Sequence, residues 1–186
     1  STSEGKGGIH GARPTRRLDA DTLALLTAPR RGRVMLTLAP ELCDEADIRT
    51  LVEHGVIVSA GHTNATYDEA QRAIRAGLTG FTHLFNAMSP LHHREPGAVG
   101  AAFDSDSWCG MIVDDAHLHP AVVRLAIRAK GIERLMLVTD AMPSVGTDDS
   151  EFMLQGKRIM VRDGVCLFED GTLAGTHLDM ASALRN

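Results

Sequence analysis

Cysteine is scarce and poorly placed to staple a scaffold. Cys43, Cys109 and Cys166 form no Cys-x-x-Cys pair, which excludes a disulfide framework and fits a reducing, cytoplasmic setting. Long apolar runs are missing too. None approaches the roughly 18–20 residues of a membrane span, and the opening Ser1-Thr-Ser-Glu-Gly-Lys-Gly-Gly8 lacks the apolar core of a signal peptide. Nor is there a basic excess: 19 Lys and Arg face 24 Asp and Glu, for a formal net charge of −5. That balance argues against nucleic acid or an anionic membrane as partner. What is present, 44% hydrophobic and 23% charged residues, is the composition of a folded globular protein. The length of 186 residues suits one domain. Nine histidines are many for this length.

The ends of the chain look cut. No initiator Met is present, the first eleven residues read as a Gly/Ser-rich loop, and Asp179–Asn186 opens a helix without a stop signal. Between these ends, apolar runs recur at Val34–Leu38, Val56–Ser59, Gly80–His83, Gly110–Val113 and Leu135–Thr139. Their starts lie roughly 22–30 residues apart, the spacing of strand–helix units. Helix signals fill the gaps. Asp44 can cap a helix that ends at Gly55, Thr66-Tyr-Asp-Glu69 is a capping box, and Pro120 suits a first helical position ahead of a stop at Gly131. This alternation predicts an α/β fold with a parallel sheet covered by helices. About five units are present, where a (β/α)8 TIM barrel needs eight. The expectation is therefore the later part of such a barrel, occupying residues 1–186. Near residue 143 the rhythm breaks. Phe152–Leu154, Lys157–Val161 and Val165–Phe168, separated by Gln155-Gly156 and Asp163-Gly164, read as antiparallel strands of a small β insertion over 143–173.

Polar chemistry sits where the barrel strands should end. His62, His83, His117 and Asp140 each follow an apolar run, and in a parallel barrel all four would reach the mouth at the carboxyl ends of the strands. Two neutral imidazoles suit a zinc-like ion and leave positions open for water and a carboxylate. Such a carboxylate can take a proton from water and return it to a leaving group. Taken singly, a His after a strand is more often a loop residue, and Asp140 could be a helix cap. Asn64 suits a cap or turn before the helix at Thr66. Asn86 and Ala87 lie in a loop whose backbone N–H groups could hold an anion, and Arg94 could grip phosphate with its guanidinium fork. His10, in the Gly-rich Gly8-Ile-His-Gly11, stands out in no way by itself.

Six stretches together carry a resemblance. Thr37-Leu-Ala-Pro-Glu41, Ser59-Ala-Gly-His-Thr-Asn-Ala-Thr66, Thr82-His-Leu-Phe-Asn-Ala-Met88, Arg94-Glu-Pro-Gly97, Val138-Thr-Asp-Ala141 and Gly171-Thr-Leu-Ala-Gly175 resemble the N-acetylglucosamine-6-phosphate deacetylases of the amidohydrolase superfamily. The likeness follows that family's order along essentially the whole chain. It implies a metal-dependent TIM-barrel hydrolase that cleaves the N-acetyl group of N-acetylglucosamine 6-phosphate, in amino-sugar catabolism. It further implies that His62 and His83 bind a divalent ion, zinc first and iron, manganese or cobalt as substitutes. Asp140 would be general base and then acid, and His117 would contact substrate and polarise the amide. Asn86 and Ala87 would hold the sugar phosphate, His10 would touch sugar or phosphate, and Leu173 would line the acetyl end. Arg94 would meet the phosphate, across the interface of a homodimer. Neither nucleic acid nor membrane is implied as a partner. The family's metal-binding Glu, in a His-Leu-Glu-Gly-Pro stretch, would fall just before Ser1, and the early strands and small flanking β domain have no counterpart here. The resemblance thus implies an internal fragment of a longer enzyme. The alternatives are another amidohydrolase acting on a different N-acyl or cyclic amide, and a non-catalytic sugar-phosphate-binding remnant.

Overall fold

A computed structural model of the chain describes residues 2–6 and 18–186. These form two compact units that divide within the fourth strand, residues 2–6 and 18–109 in one and 110–186 in the other.

In the first unit Asp19 caps helix α1 (Ala20–Thr27), accepting a hydrogen bond from the Thr22 N–H. Strand β1 (Val34–Leu38) leads through a short 3-10 turn at Pro40–Leu42 into α2 (Glu45–Glu53), which packs back on β2 (Val56–Ala60). Helix α3 (Tyr67–Arg75) precedes β3 (Gly80–Phe81), and α4 (Gly97–Phe103) precedes β4 (Trp108–Met111). The strands pair in sequence order and all in parallel: Val34 lies beside Val56, Ala60 beside Phe81, and Phe81 beside Cys109. A sheet covered by helices buries its strands, so Leu38, Val58, Ala60 and Phe81 join Ile48 and Leu51 of α2 in the core. The capping box of α3 is complete: Thr66 Oγ1 accepts from the Glu69 N–H while Glu69 Oε2 accepts from the Thr66 N–H at 2.8 Å.

Several boundaries differ from those the sequence predicts. The third strand stops at Phe81, two residues before the left-handed His83, and the fifth at Leu137, three residues before the left-handed Asp140. The fourth strand lies two residues earlier than Gly110–Val113. Asp44 takes the N-cap position of α2, but its side chain makes no cap hydrogen bond. Helix α4 escapes a periodicity search because Gly97 through Ala102 are all buried, leaving no polar face to alternate.

In the second unit α5 (Pro120–Lys130) starts on Pro120, as a ring-locked φ favours, and leads to β5 (Leu135–Leu137). The Val138 N–H donates to Met111 O. A four-stranded antiparallel sheet follows, with β6 (Glu151–Leu154), β7 (Lys157–Arg162), β8 (Val165–Phe168) and β9 (Leu173–Thr176) in sequence order. Both residues of Gln155-Gly156 and of Asp163-Gly164 have positive φ, the turn chemistry that the sequence predicts for two-residue hairpins. The expectation of three strands misses β9, whose Ala174 packs with Ile159, Cys166 and Met142. Asp179 then caps α6 (Met180–Arg185) by accepting from the Ser182 N–H. Among the described residues no helix is long and apolar enough to cross a membrane.

Candidate functional site

Strand β2 delivers His62 through Gly61, where there is no space for a side chain. A Cβ there would lie 2.8 Å from Thr37 Cγ2 and 3.0 Å from Thr82 Cβ. Beyond it the chain turns sharply: φ is +50° at His62 and +37° at His83. Left-handed angles at residues other than glycine cost on the order of 1–3 kcal/mol each and concentrate at functional sites. Here they bring the two imidazoles together, Nε2 to Nε2 at 3.0 Å, with ring planes at 84°.

The other ring nitrogens decide the tautomers. His62 Nδ1 lies 2.6 Å from Lys6 O, and His83 Nδ1 lies 3.1 Å from Asn86 O. A carbonyl only accepts, so each Nδ1 carries a proton, and the neutral form of each ring turns the lone pair of Nε2 toward its neighbour. Two such lone pairs at 3.0 Å repel unless a proton or a metal ion is shared between them. Two nitrogens bound at 2.0–2.1 Å with a tetrahedral angle would be about 3.3–3.4 Å apart, close to the spacing found. The donor set therefore fits a zinc-class ion, with each ligand oriented from behind by a carbonyl as metal-binding histidines are. Among the described residues no third His, Cys, Asp or Glu completes a ligand group with this pair.

Asn86 and Ala87 follow His83 in the same turn. The Asn86 N–H is engaged by His83 O at 2.9 Å, and Ala87, at φ +48°, accepts from the Thr63 N–H at 3.0 Å. Arg94 is exposed, and its backbone N–H donates to His92 Nδ1 at 3.3 Å. In the second unit His117 donates from Nδ1 to Asp114 Oδ2 at 2.6 Å, and both side chains are only 7% exposed. Asp114 Oδ1 accepts the His117 and Ala116 N–H groups. Burial pushes the Asp114 carboxyl up, but these hydrogen bonds outweigh it and hold the group below its ordinary value. Asp140 is exposed at φ +51°, and its carbonyl accepts the Thr176 N–H at 3.1 Å. Leu173 begins β9 and is exposed. His10 lies outside the described residues.

No family model matches the chain. Individual relatives do. An N-acetylgalactosamine-6-phosphate deacetylase of Shewanella sp. is 51% identical over 156 residues, 83% of this chain and 39% of that protein. An N-acetylglucosamine-6-phosphate deacetylase of Bacillus subtilis is 42% identical over 154 residues, 82% of this chain and 39% of that protein. The crystal structure of N-acetylglucosamine-6-phosphate deacetylase from Pasteurella multocida superposes with a TM-score of 0.94 at 40% identity, covering 99% of this chain and 48% of that one. The chain is related to the N-acetylglucosamine-6-phosphate deacetylases. It spans less than half the length of each of these three proteins.

Two carboxylates of this deacetylase relative escaped the sequence reading as site residues. Asp114 sits three residues before His117, a spacing that lets one side chain bind both the backbone and the ring of the same residue. Glu41 closes the Thr37-Leu-Ala-Pro-Glu41 stretch, yet it bonds to the turn after His62, 22 and 23 residues further along. Sequence spacing gave no signal for that pairing. The turn reading of Asn64 fits the structure: its N–H donates to Glu41 Oε1 and its Nδ2 to Glu4 O.

Proposed function

We propose that this chain carries catalytic residues of a metal-dependent amidohydrolase that cleaves N-acetylglucosamine 6-phosphate to glucosamine 6-phosphate and acetate, within a cytoplasmic homodimer. The observation that carries the reading is the His62–His83 pair, whose Nε2 atoms face one another at 3.0 Å, in a chain related to deacetylases of phosphorylated N-acetylhexosamines. In this reading residues 1–186 are part of a TIM-barrel catalytic domain, with 143–173 inserted.

His62 and His83 would hold zinc, or iron, manganese or cobalt in its place. When bound, such an ion supplies Lewis acidity toward the acetyl carbonyl and lowers the pKa of water at the site. Asp140 takes a proton from the attacking water, the amide C–N bond breaks, and the same proton passes from Asp140 to the departing amine. His117, held from behind at Nδ1 by Asp114, contacts the substrate amide and stabilises the charge that develops on its oxygen. Asn86, Ala87, His10 and Arg94 bind the phosphorylated sugar, Arg94 from the other subunit, and Leu173 lines the acetyl end.

The Shewanella relative's name favours a second reading, in which the substrate is the C4 epimer. Acetate release by the protein containing this chain, assayed on both 6-phosphates and on unphosphorylated N-acetylglucosamine, tests all of this. Asp140→Asn should keep metal and sugar binding while turnover falls about a hundredfold or more. Arg94→Ala should weaken the phosphorylated sugars selectively. Near-normal turnover in Asp140→Asn, or no preference for a phosphorylated substrate in the wild type, would defeat the proposal.

A further inference from the structure

Glu41 lies in the turn after β1, outside every role assigned above, yet its carboxylate is a common acceptor for two separate segments. Oε2 accepts from the Thr63 hydroxyl at 2.5 Å, and Oε1 accepts from the Asn64 N–H at 2.7 Å. Oε1 also accepts the hydroxyl of Ser3. The first two partners belong to the turn that begins at His62. The third belongs to a strap, residues 2–6, that lies over the same histidine.

That strap reaches His62 directly. The Ser3 N–H donates to His62 O at 2.7 Å, and Lys6 O receives the His62 Nδ1 proton at 2.6 Å. The Lys6 N–H closes a turn onto Ser3 O at 3.1 Å, and Asn64 Nδ2 donates to Glu4 O at 2.9 Å. Lys6 Nζ donates to Met88 O, beyond His83. Ser3 is buried. Removing Glu41 therefore releases a left-handed residue whose backbone favours another conformation. It also loosens the strap whose carbonyl selects the tautomer of the ring.

The geometry points to Glu41 as the positioning residue of the metal centre. Through Thr63 and Asn64 it holds the strained turn at His62, and through Ser3 it holds the strap that keeps the His62 proton on Nδ1. Its carboxylate oxygens are taken up by Ser3, Thr63 and Asn64. This inference rests on the reading of His62 and His83 as metal ligands. Outer contacts of this kind are worth roughly ten- to a hundredfold in metal affinity.

The test measures zinc affinity by competition with a chromophoric chelator, and the His62 ring 15N shifts without metal, in the protein containing this chain. Glu41→Ala should weaken zinc binding about ten- to a hundredfold and move the His62 ring nitrogens toward a mixture of tautomers. Glu41→Gln should fall between, because its amide oxygen still accepts the Asn64 N–H. If Glu41→Ala fails to fold, Glu41→Gln decides alone. Zinc affinity within twofold of wild type and an unchanged His62 spectrum would overturn the inference. So would a lowered melting temperature with zinc affinity intact, which assigns Glu41 to the fold alone. His62→Asn and His83→Asn separate the two levels of the argument. If they bind zinc like wild type, the metal reading itself has failed. If they lose zinc and the Glu41 variants do not, only the role of Glu41 has failed.

Discussion

Adding one methyl group at Gly61 probes how tightly the candidate centre is built. A Cβ at this position would lie 2.8 Å from Thr37 Cγ2 and 3.0 Å from Thr82 Cβ, whereas carbon atoms rest at about 3.5–4.0 Å. Something must move by roughly 0.7 Å. Neither neighbour gives way easily, since Thr82 Oγ1 is tied to Thr37 Oγ1 at 2.9 Å and to Ser59 Oγ at 2.7 Å. Overpacking of this kind costs about 1–3 kcal/mol, so Gly61→Ala should lower the free energy of urea unfolding by that amount with an unchanged slope. The displacement also exceeds the roughly 0.5 Å that a preorganised site tolerates, so zinc affinity should fall as well. Thr37→Ser removes the nearer methyl, and Gly61→Ala/Thr37→Ser should recover about 1 kcal/mol relative to the sum of the single changes. A Gly61→Ala protein within 0.5 kcal/mol of wild type, where surface substitutions usually fall, would refute the packing argument. Failure of Thr37→Ser to relieve the loss would place the strain elsewhere.

Two further expectations concern separate links of the chain. Thr66→Ala removes one half of the capping box and should cost about 1 kcal/mol in unfolding free energy. Amide exchange should quicken first at the start of α3, and unchanged exchange there would show that the cap contributes nothing. The carboxyl of Asp114 is held below its ordinary value of 3.8, so the native state favours its ionised form. The stability it adds is present above that ordinary value and is lost as pH falls through the lowered native one. Urea unfolding should therefore show wild type more stable than Asp114→Asn near neutral pH, with the gap closing below about pH 4. A gap constant down to pH 2 would contradict the assignment.

The alternation of strands and helices was legible because parallel α/β packing leaves local marks. β-branched runs, a capping box at Thr66-Tyr-Asp-Glu69, Pro120 at a helix start and the Gly156 and Gly164 turns all record short-range preferences of the backbone. Helix α4 left no such mark, since a segment buried on all sides has no amphipathic period. Strand β9 hid for a related reason: it begins within Gly171-Thr-Leu-Ala-Gly175, which reads as a turn, and the antiparallel partner Val165–Phe168 makes it a strand.

By itself the sequence determined the α/β class with its parallel sheet, the order of most elements and the pairing of His62 and His83 as candidates. Each of these depends on residues near in sequence or on a recognisable family pattern. Tertiary structure decided what those candidates can do. Only the packed turns show that both Nδ1 atoms face carbonyls, that both Nε2 atoms meet at 3.0 Å, and that Glu41 reaches 38 residues back to Ser3. Hydrogen-bond partners distant along the chain, and left-handed angles at His62 and His83, are set by the balance of strain against packing. That balance exists only once β1, β2 and β3 lie side by side.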